Sequence, residues 1–127
     1  MEFINVKFDY VEAKREKDGP SQGLAVKINT DDVRIEGDGV EFHFTYRVEY
    51  SPNVGSLILK GRATAKISEE EKERINERWE KEKKLPEEIA QNLINLLNYA
   101  AGTNGVLVAK AINLAPPMVP PRIKLKA

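Results

Sequence analysis

His43 is the one histidine of the chain, and no cysteine accompanies it. That removes the common nucleophile–base pairs of covalent catalysis. A metal centre needs three or four matched ligands, and His43 stands instead on the polar side of an alternating run with Glu41, Thr45, Arg47 and Glu49. The acidic stretch Glu36-Gly37-Asp38-Gly39 lacks the carboxylate ladder of a calcium loop. It reads as a hairpin turn in which glycine supplies positive φ. No glycine-rich phosphate loop is present. The expectation is a protein without catalytic residues, cofactor or metal. One side chain still invites a chemical question: Trp79 lies on an otherwise charged helical stretch. A large aromatic there is either pinned down or offered to a ligand.

The bulk numbers set the frame for these residues. At 127 residues the chain suits one domain, 1–127, with a core of its own. Twenty basic residues balance twenty acidic ones, so nothing in the net charge points to a polyanion. Absent Cys and abundant Lys and Glu resemble the composition of thermophile proteins and suit a reducing compartment. The start MEFINVKFDY alternates and carries acid early, unlike a signal peptide. The late apolar run Val106 to Ala115 contains Lys110 and Asn113 and falls short of the ~20 apolar residues of a membrane span. A cytoplasmic protein without membrane insertion is expected.

Four stretches carry the period-2 pattern of half-buried strands. They cover about 3–13, 24–35, 40–50 and 56–67. In the first, Ile4, Val6, Phe8 and Tyr10 share a face. In the second, the apolar positions step from even (Leu24, Val26, Ile28) to odd (Val33, Ile35), which calls for a bulge near Thr30 to Asp32. The third is the clearest, with Val40, Phe42, Phe44, Tyr46, Val48 and Tyr50 facing one way. The fourth places Leu57, Leu59, Gly61, Ala63, Ala65 and Ile67 together. Its small residues leave room for a close neighbour, for which a long helix is the natural candidate.

Ser68-Glu69-Glu70-Glu71 has the form of a capping box and opens a charged connector helix over 69–84, with only Ile75 and Trp79 as apolar anchors. Leu85-Pro86-Glu87-Glu88 then starts a long helix, 86–113, packed on the sheet. Its stripe is Ile89, Leu93, Leu96, Leu97 and Ala100, and the same phase extends to Leu107, Ala111 and Leu114. Gly102-Thr103-Asn104-Gly105 marks a weak point, since each interior Gly costs about 1 kcal/mol; a short strand at Val106-Leu107-Val108 is the alternative. The other face shows neutral amides, Gln91, Asn92, Asn95 and Asn98, and no acid follows Glu88. Such a helix suits burial on two sides, with Asn92, Asn95, Leu96, Asn98 and Tyr99 as an oligomer interface. The end, Leu114 to Pro121, must be extended. The fold class is α+β: a four-stranded antiparallel sheet, two helices and a Pro-rich extended C-terminus.

This order of elements resembles the SecB family of export chaperones. Phe8-Asp9-Tyr10-Val11-Glu12-Ala13 resembles its Phe-Glu-Ala-Pro first-strand signature. The run from Val26-Lys27-Ile28-Asn29-Thr30 to Val48 resembles its second and third strands with their Asp-rich bend. Leu85-Pro86 and Asn113-Leu114-Ala115-Pro116 resemble its Cys-Pro helix start and closing Asn-Leu-Ala-Pro motif. The resemblance implies a dimer of dimers with long helices between two sheets, and a holdase that binds unfolded polypeptides in apolar grooves. On this chain those grooves would draw on Phe42, Phe44, Tyr46, Leu57, Leu59, Ile75, Trp79, Ile89, Leu93, Leu97 and Met118. The family's export ATPase meets an acidic sheet surface, where this chain has Lys60 and Arg62, so a holdase without that partner is expected. The family's second helix and acidic tail are replaced by a basic stretch with Arg122, Lys124 and Lys126.

Two other functions fit the same scaffold. One is a carrier of a small apolar ligand. The other is RNA binding through Arg47, Lys60, Arg62 and Lys66, but Glu41 and Glu49 share that face, and no nucleic-acid partner is expected. The hot-dog enzymes also wrap a sheet around a long helix, yet their catalytic carboxylate or histidine has no counterpart on this helix, which carries no acid after Glu88.

Overall fold

A computed structural model describes residues 1–117. The elements are β1 (Glu2–Arg15), β2 (Gly23–Glu36), β3 (Gly39–Ser51), β4 (Gly55–Lys66), α1 (Glu69–Glu82) and α2 (Glu87–Ala111). The strands form one antiparallel sheet in the order β1-β4-β3-β2. Two hairpins, β2–β3 and β3–β4, bring the most apolar strands to the centre, and β1 closes onto β4. Gly37 turns the first hairpin with φ 62°, a conformation open to glycine at little cost. β1 and β2 are the edges.

One face of the sheet is covered by both helices and holds the core. Phe42, Phe44, Tyr46, Val48 and Tyr50 of β3 and Leu57, Leu59, Ala63 and Ala65 of β4 are fully buried there. Phe8 of β1 meets Phe44 edge-to-face, with ring centroids 5.8 Å apart. The opposite face carries the polar half of each alternation and is open.

β1 departs from strict alternation. Register shifts between Phe3 and Asn5 and between Phe8 and Tyr10 make Ile4 and Asp9 the bulged residues. Phe3, Val6 and Phe8 therefore turn inward, while Ile4 is 59% exposed and Tyr10 points outward beneath Lys60 Nζ, 5.3 Å from its ring centroid. Ile4, Val6, Phe8 and Tyr10 thus do not share a face, because each bulge flips every later side chain. In β2 the bulge falls at Asp31, where the apolar positions change parity. Gly61 makes room for β1 and not for a helix: a Cβ there would lie 2.0 Å from the Lys7 carbonyl oxygen.

α1 begins at a capping box: the Ser68 hydroxyl accepts from Glu71 N–H at 3.2 Å, and Glu71 Oε1 accepts from Ser68 N–H at 3.0 Å. Lys72 Nζ donates to the Gly37 carbonyl, so this end sits over the β2–β3 turn. α2 is one unbroken helix, without a break at 102–105 and without a strand at 106–108. Its buried line is Ile89, Leu93, Leu97, Ala101, Gly105 and Ala109, an i±4 row inclined to the helix axis. Leu107, 74% exposed, and Ala111 therefore lie outward, contrary to the straight stripe expected. Beyond α2 the chain folds back. Leu114 N–H donates to the Ala109 carbonyl, the Tyr50 hydroxyl donates to Ala115 O, and Pro117 packs where a Cβ on Gly105 would come within 2.9 Å of its ring.

Candidate functional site

Trp79 is where the helices leave the sheet partly uncovered. Ile75, one turn earlier, is fully buried and fastens α1 to the core. Trp79 is half-buried and faces a groove of about 330 Å³. The walls are Ile28, Asn29 and Thr30 of edge strand β2, Arg78 and Trp79 of α1, the turn residues Lys83, Lys84 and Leu85, and Glu87 and Ala90 of α2. The floor is apolar; the rim carries the cations.

Local structure explains the turn. Lys83 takes a left-handed conformation, φ 56°, and its N–H donates to the Trp79 carbonyl at 2.9 Å. That is the usual way a helix ends, although glycine or asparagine is the commoner residue. The Lys83 ammonium stands over the indole, 5.7 Å from the ring centroid. Arg78 Nε lies 3.6 Å from Glu82 Oε2, close enough for an ion pair but too far for a hydrogen bond, and it is enclosed without an acceptor among the described residues. Leu85 is buried, and Pro86 places α2 on its new course.

The residues expected to form the groove divide sharply. Phe42, Phe44, Tyr46, Leu57, Leu59, Ile75, Ile89, Leu93 and Leu97 are 0–2% exposed and make up the interior between sheet and helices. They offer no surface to a ligand; the pattern that marks apolar residues inward marks a core equally well. Trp79 alone of the expected set lines the groove, and Met118 lies outside the described residues. Ile28, Leu85 and Ala90 were absent from that set, as were the rim cations. Their proximity depends on β2 being an edge and on the turn after α1, and neither leaves a periodicity in the chain.

The outward face of α2 gathers the expected interface residues. Asn92, Asn95 and Asn98 are exposed, Leu96 is half-buried and Tyr99 is 71% exposed. Asn92, Leu96, Tyr99, Thr103, Val106 and Lys110 follow one another at alternating steps of four and three along this face. They make one longitudinal stripe on the helix.

The open face of the sheet is a network of mixed charge. Arg62 lies 3.6 Å from both Asp9 and Glu41, and His43 Nε2 donates to Glu41 Oε1 at 2.8 Å. Arg34 Nε donates to Asp32 Oδ2 at 3.1 Å and, with the Val33 amide, holds that carboxyl below the usual range. The Thr45 hydroxyl donates to Asp31. Arg62 and Lys60, two of the four cations considered for RNA, are thus engaged within the chain. Among the described residues no group of three or more His, Cys, Asp or Glu is placed to hold a metal, and no helix is long and apolar enough to cross a membrane.

Two inward tyrosines of β3 lie in the core, outside the groove lining. Burial pushes the Tyr46 phenol up to about 12, with Tyr50 adding a smaller push, and the Tyr46 hydroxyl has no hydrogen-bond partner among the described residues. Tyr50 is raised in the same direction by burial. No family model matches this chain, and neither does any curated protein or solved structure.

Proposed function

We propose that the protein is a SecB-like holdase that binds unfolded polypeptides in the cytoplasm, with a link to protein export. The observation that carries this reading is the groove at Trp79, where a half-buried indole, Ile28 and Ala90 lie beside the free edge of β2. An extended segment laid along a free strand edge gains main-chain hydrogen bonds whatever its sequence, while a pocket takes one side chain in two. That is the recognition a binder of many clients needs.

Magnitudes tie this function to self-association. The groove, about 330 Å³, is at the small end of ligand sites. Burying one large apolar side chain in it contributes roughly 1.5–3 kcal/mol. Micromolar binding needs about 8 kcal/mol. One groove is too weak for a holdase, and several held on one assembly multiply the effect. The outward face of α2 supplies the means of assembly. It spans roughly 37 Å, carries no acid after Glu88, and presents Leu96, Tyr99 and Leu107 among amides that hydrogen-bond to their own kind. A dimer of dimers joined through α2 is the proposed active form. The export ATPase is left out because Lys60 and Arg62 occupy the sheet face it would need.

The test is suppression of aggregation. With several unrelated denatured clients, near-stoichiometric protein is expected to delay aggregation. Trp79→Ala should weaken client binding with little change in melting temperature. No protection of any client, or protection undiminished in the variant, contradicts the reading.

A further inference from the structure

We propose that the Trp79 groove selects segments in which an apolar or aromatic residue is flanked by carboxylates. The inference rests on the polypeptide-binding reading and specifies the client class. Its main support is charge. Of the described ionisable residues lining the groove, Arg78, Lys83 and Lys84 are cations and Glu87 is the one carboxylate. Charge on the rim of an apolar site leaves the apolar anchor untouched and discriminates between flanking residues.

Two details of the cations point the same way. The Arg78 side chain is 37% exposed and only loosely paired, its Nε 3.6 Å from Glu82 Oε2, so the exposed part of the guanidinium can donate to an arriving carboxylate. Lys83 occupies a left-handed position, φ 56°, where glycine carries no Cβ penalty. Retaining lysine there is unfavourable for folding, and its result is an ammonium held above the Trp79 ring.

The experiment uses the full chain and three peptides labelled with a neutral dye. All share one apolar core of two phenylalanines and a leucine; the flanks are glutamate, serine or lysine. Fluorescence anisotropy at low ionic strength is expected to show the glutamate peptide binding about fivefold tighter than the serine peptide, and the lysine peptide weakest. The spread should shrink as salt rises. In the double variant Lys83→Asn, Lys84→Gln, the glutamate-to-serine affinity ratio should fall to about one. Asparagine tolerates the left-handed position, so the turn is kept. Lys60→Gln, on the open face of the sheet, should leave the ratio as it is. Equal affinities for the three peptides, tightest binding of the lysine peptide, or a ratio that survives the double variant overturns the selectivity and leaves polypeptide binding standing. No binding of any peptide overturns both.

Discussion

α1 and α2 lie on the same face of one sheet, and their attachments differ in kind. α2 contributes a row of buried positions, from Ile89 through Leu93 and Leu97 to Ala101, Gly105 and Ala109. α1 contributes one fully buried side chain, Ile75, with Trp79 half-buried beside it. The remainder of α1 is held by polar contacts: the Ser68–Glu71 capping box, Lys72 on the Gly37 carbonyl and Glu71 on the Met1 amino group. A helix with a single fully buried anchor can leave the sheet at a cost well below that of global unfolding. The groove lies at the end of that weakly held helix. The structure thus separates a deeply anchored platform of sheet and α2 from a lightly anchored wall, α1.

Substitutions can break or sharpen this contrast. The largest effect is expected from Leu97→Ala, about 3–5 kcal/mol, because its cavity sits within a row that cannot detach piecemeal. Denaturant unfolding measures it. Ile75→Ala should cost less, about 2 kcal/mol, because α1 can undock and relieve the void. Hydrogen exchange should then show the amides of 69–82 losing protection while α2 keeps its own. Equal losses in both helices would erase the distinction.

Smaller effects test the joints. Tyr46→Phe removes a buried hydroxyl that has no partner among the described residues and should stabilise by about 1 kcal/mol. It should also flatten the alkaline limb of stability. A phenol raised to about 12 keeps its proton in the folded chain after the unfolded chain has begun to lose it near 10. Tyr46 titration therefore leaves stability unchanged below pH 10 and lowers it as pH rises from there to about 12. Ser68→Ala should cost about 1 kcal/mol or less and fray α1 without disturbing α2. The smallest effect concerns Glu71, whose carboxyl is held below its ordinary value chiefly by the Ser68 amide and next by the Met1 amino group. Its contribution is present above the ordinary carboxylate range and lost as pH falls through its lowered value. In Glu71→Gln the acid limb of the α1 signal should be shallower.

The same contrast explains what could be read from the chain. β3 and β4 are plain because both their faces are asymmetric: apolar residues at every second position can face only one core. The capping box at Ser68 was equally legible, since it depends on residues three apart. β1 misleads because a bulge at Asp9 leaves no mark in composition, and the Gly61 backbone that lies close against Lys7 beside it is distant in sequence. The continuity of α2 was obscured by Gly102 and Gly105, which argue against a helix by propensity. Gly105 is accounted for by Pro117, which closes on it from beyond the helix. At the site, Trp79 was visible as an aromatic out of place. Its neighbours Ile28, Leu85 and Ala90 were not, because strand order and the left-handed turn at Lys83 bring them together.

Trp79 is the chain's only tryptophan, so its fluorescence reports the groove directly. The decisive measurement is a titration of the protein with a permanently unfolded, tryptophan-free polypeptide, following indole emission while anisotropy of a label on the polypeptide reports binding. The account predicts a saturable blue shift that tracks the anisotropy, as the half-exposed ring is covered. Binding seen by anisotropy with the indole emission unchanged would place clients elsewhere and contradict the assignment of the groove.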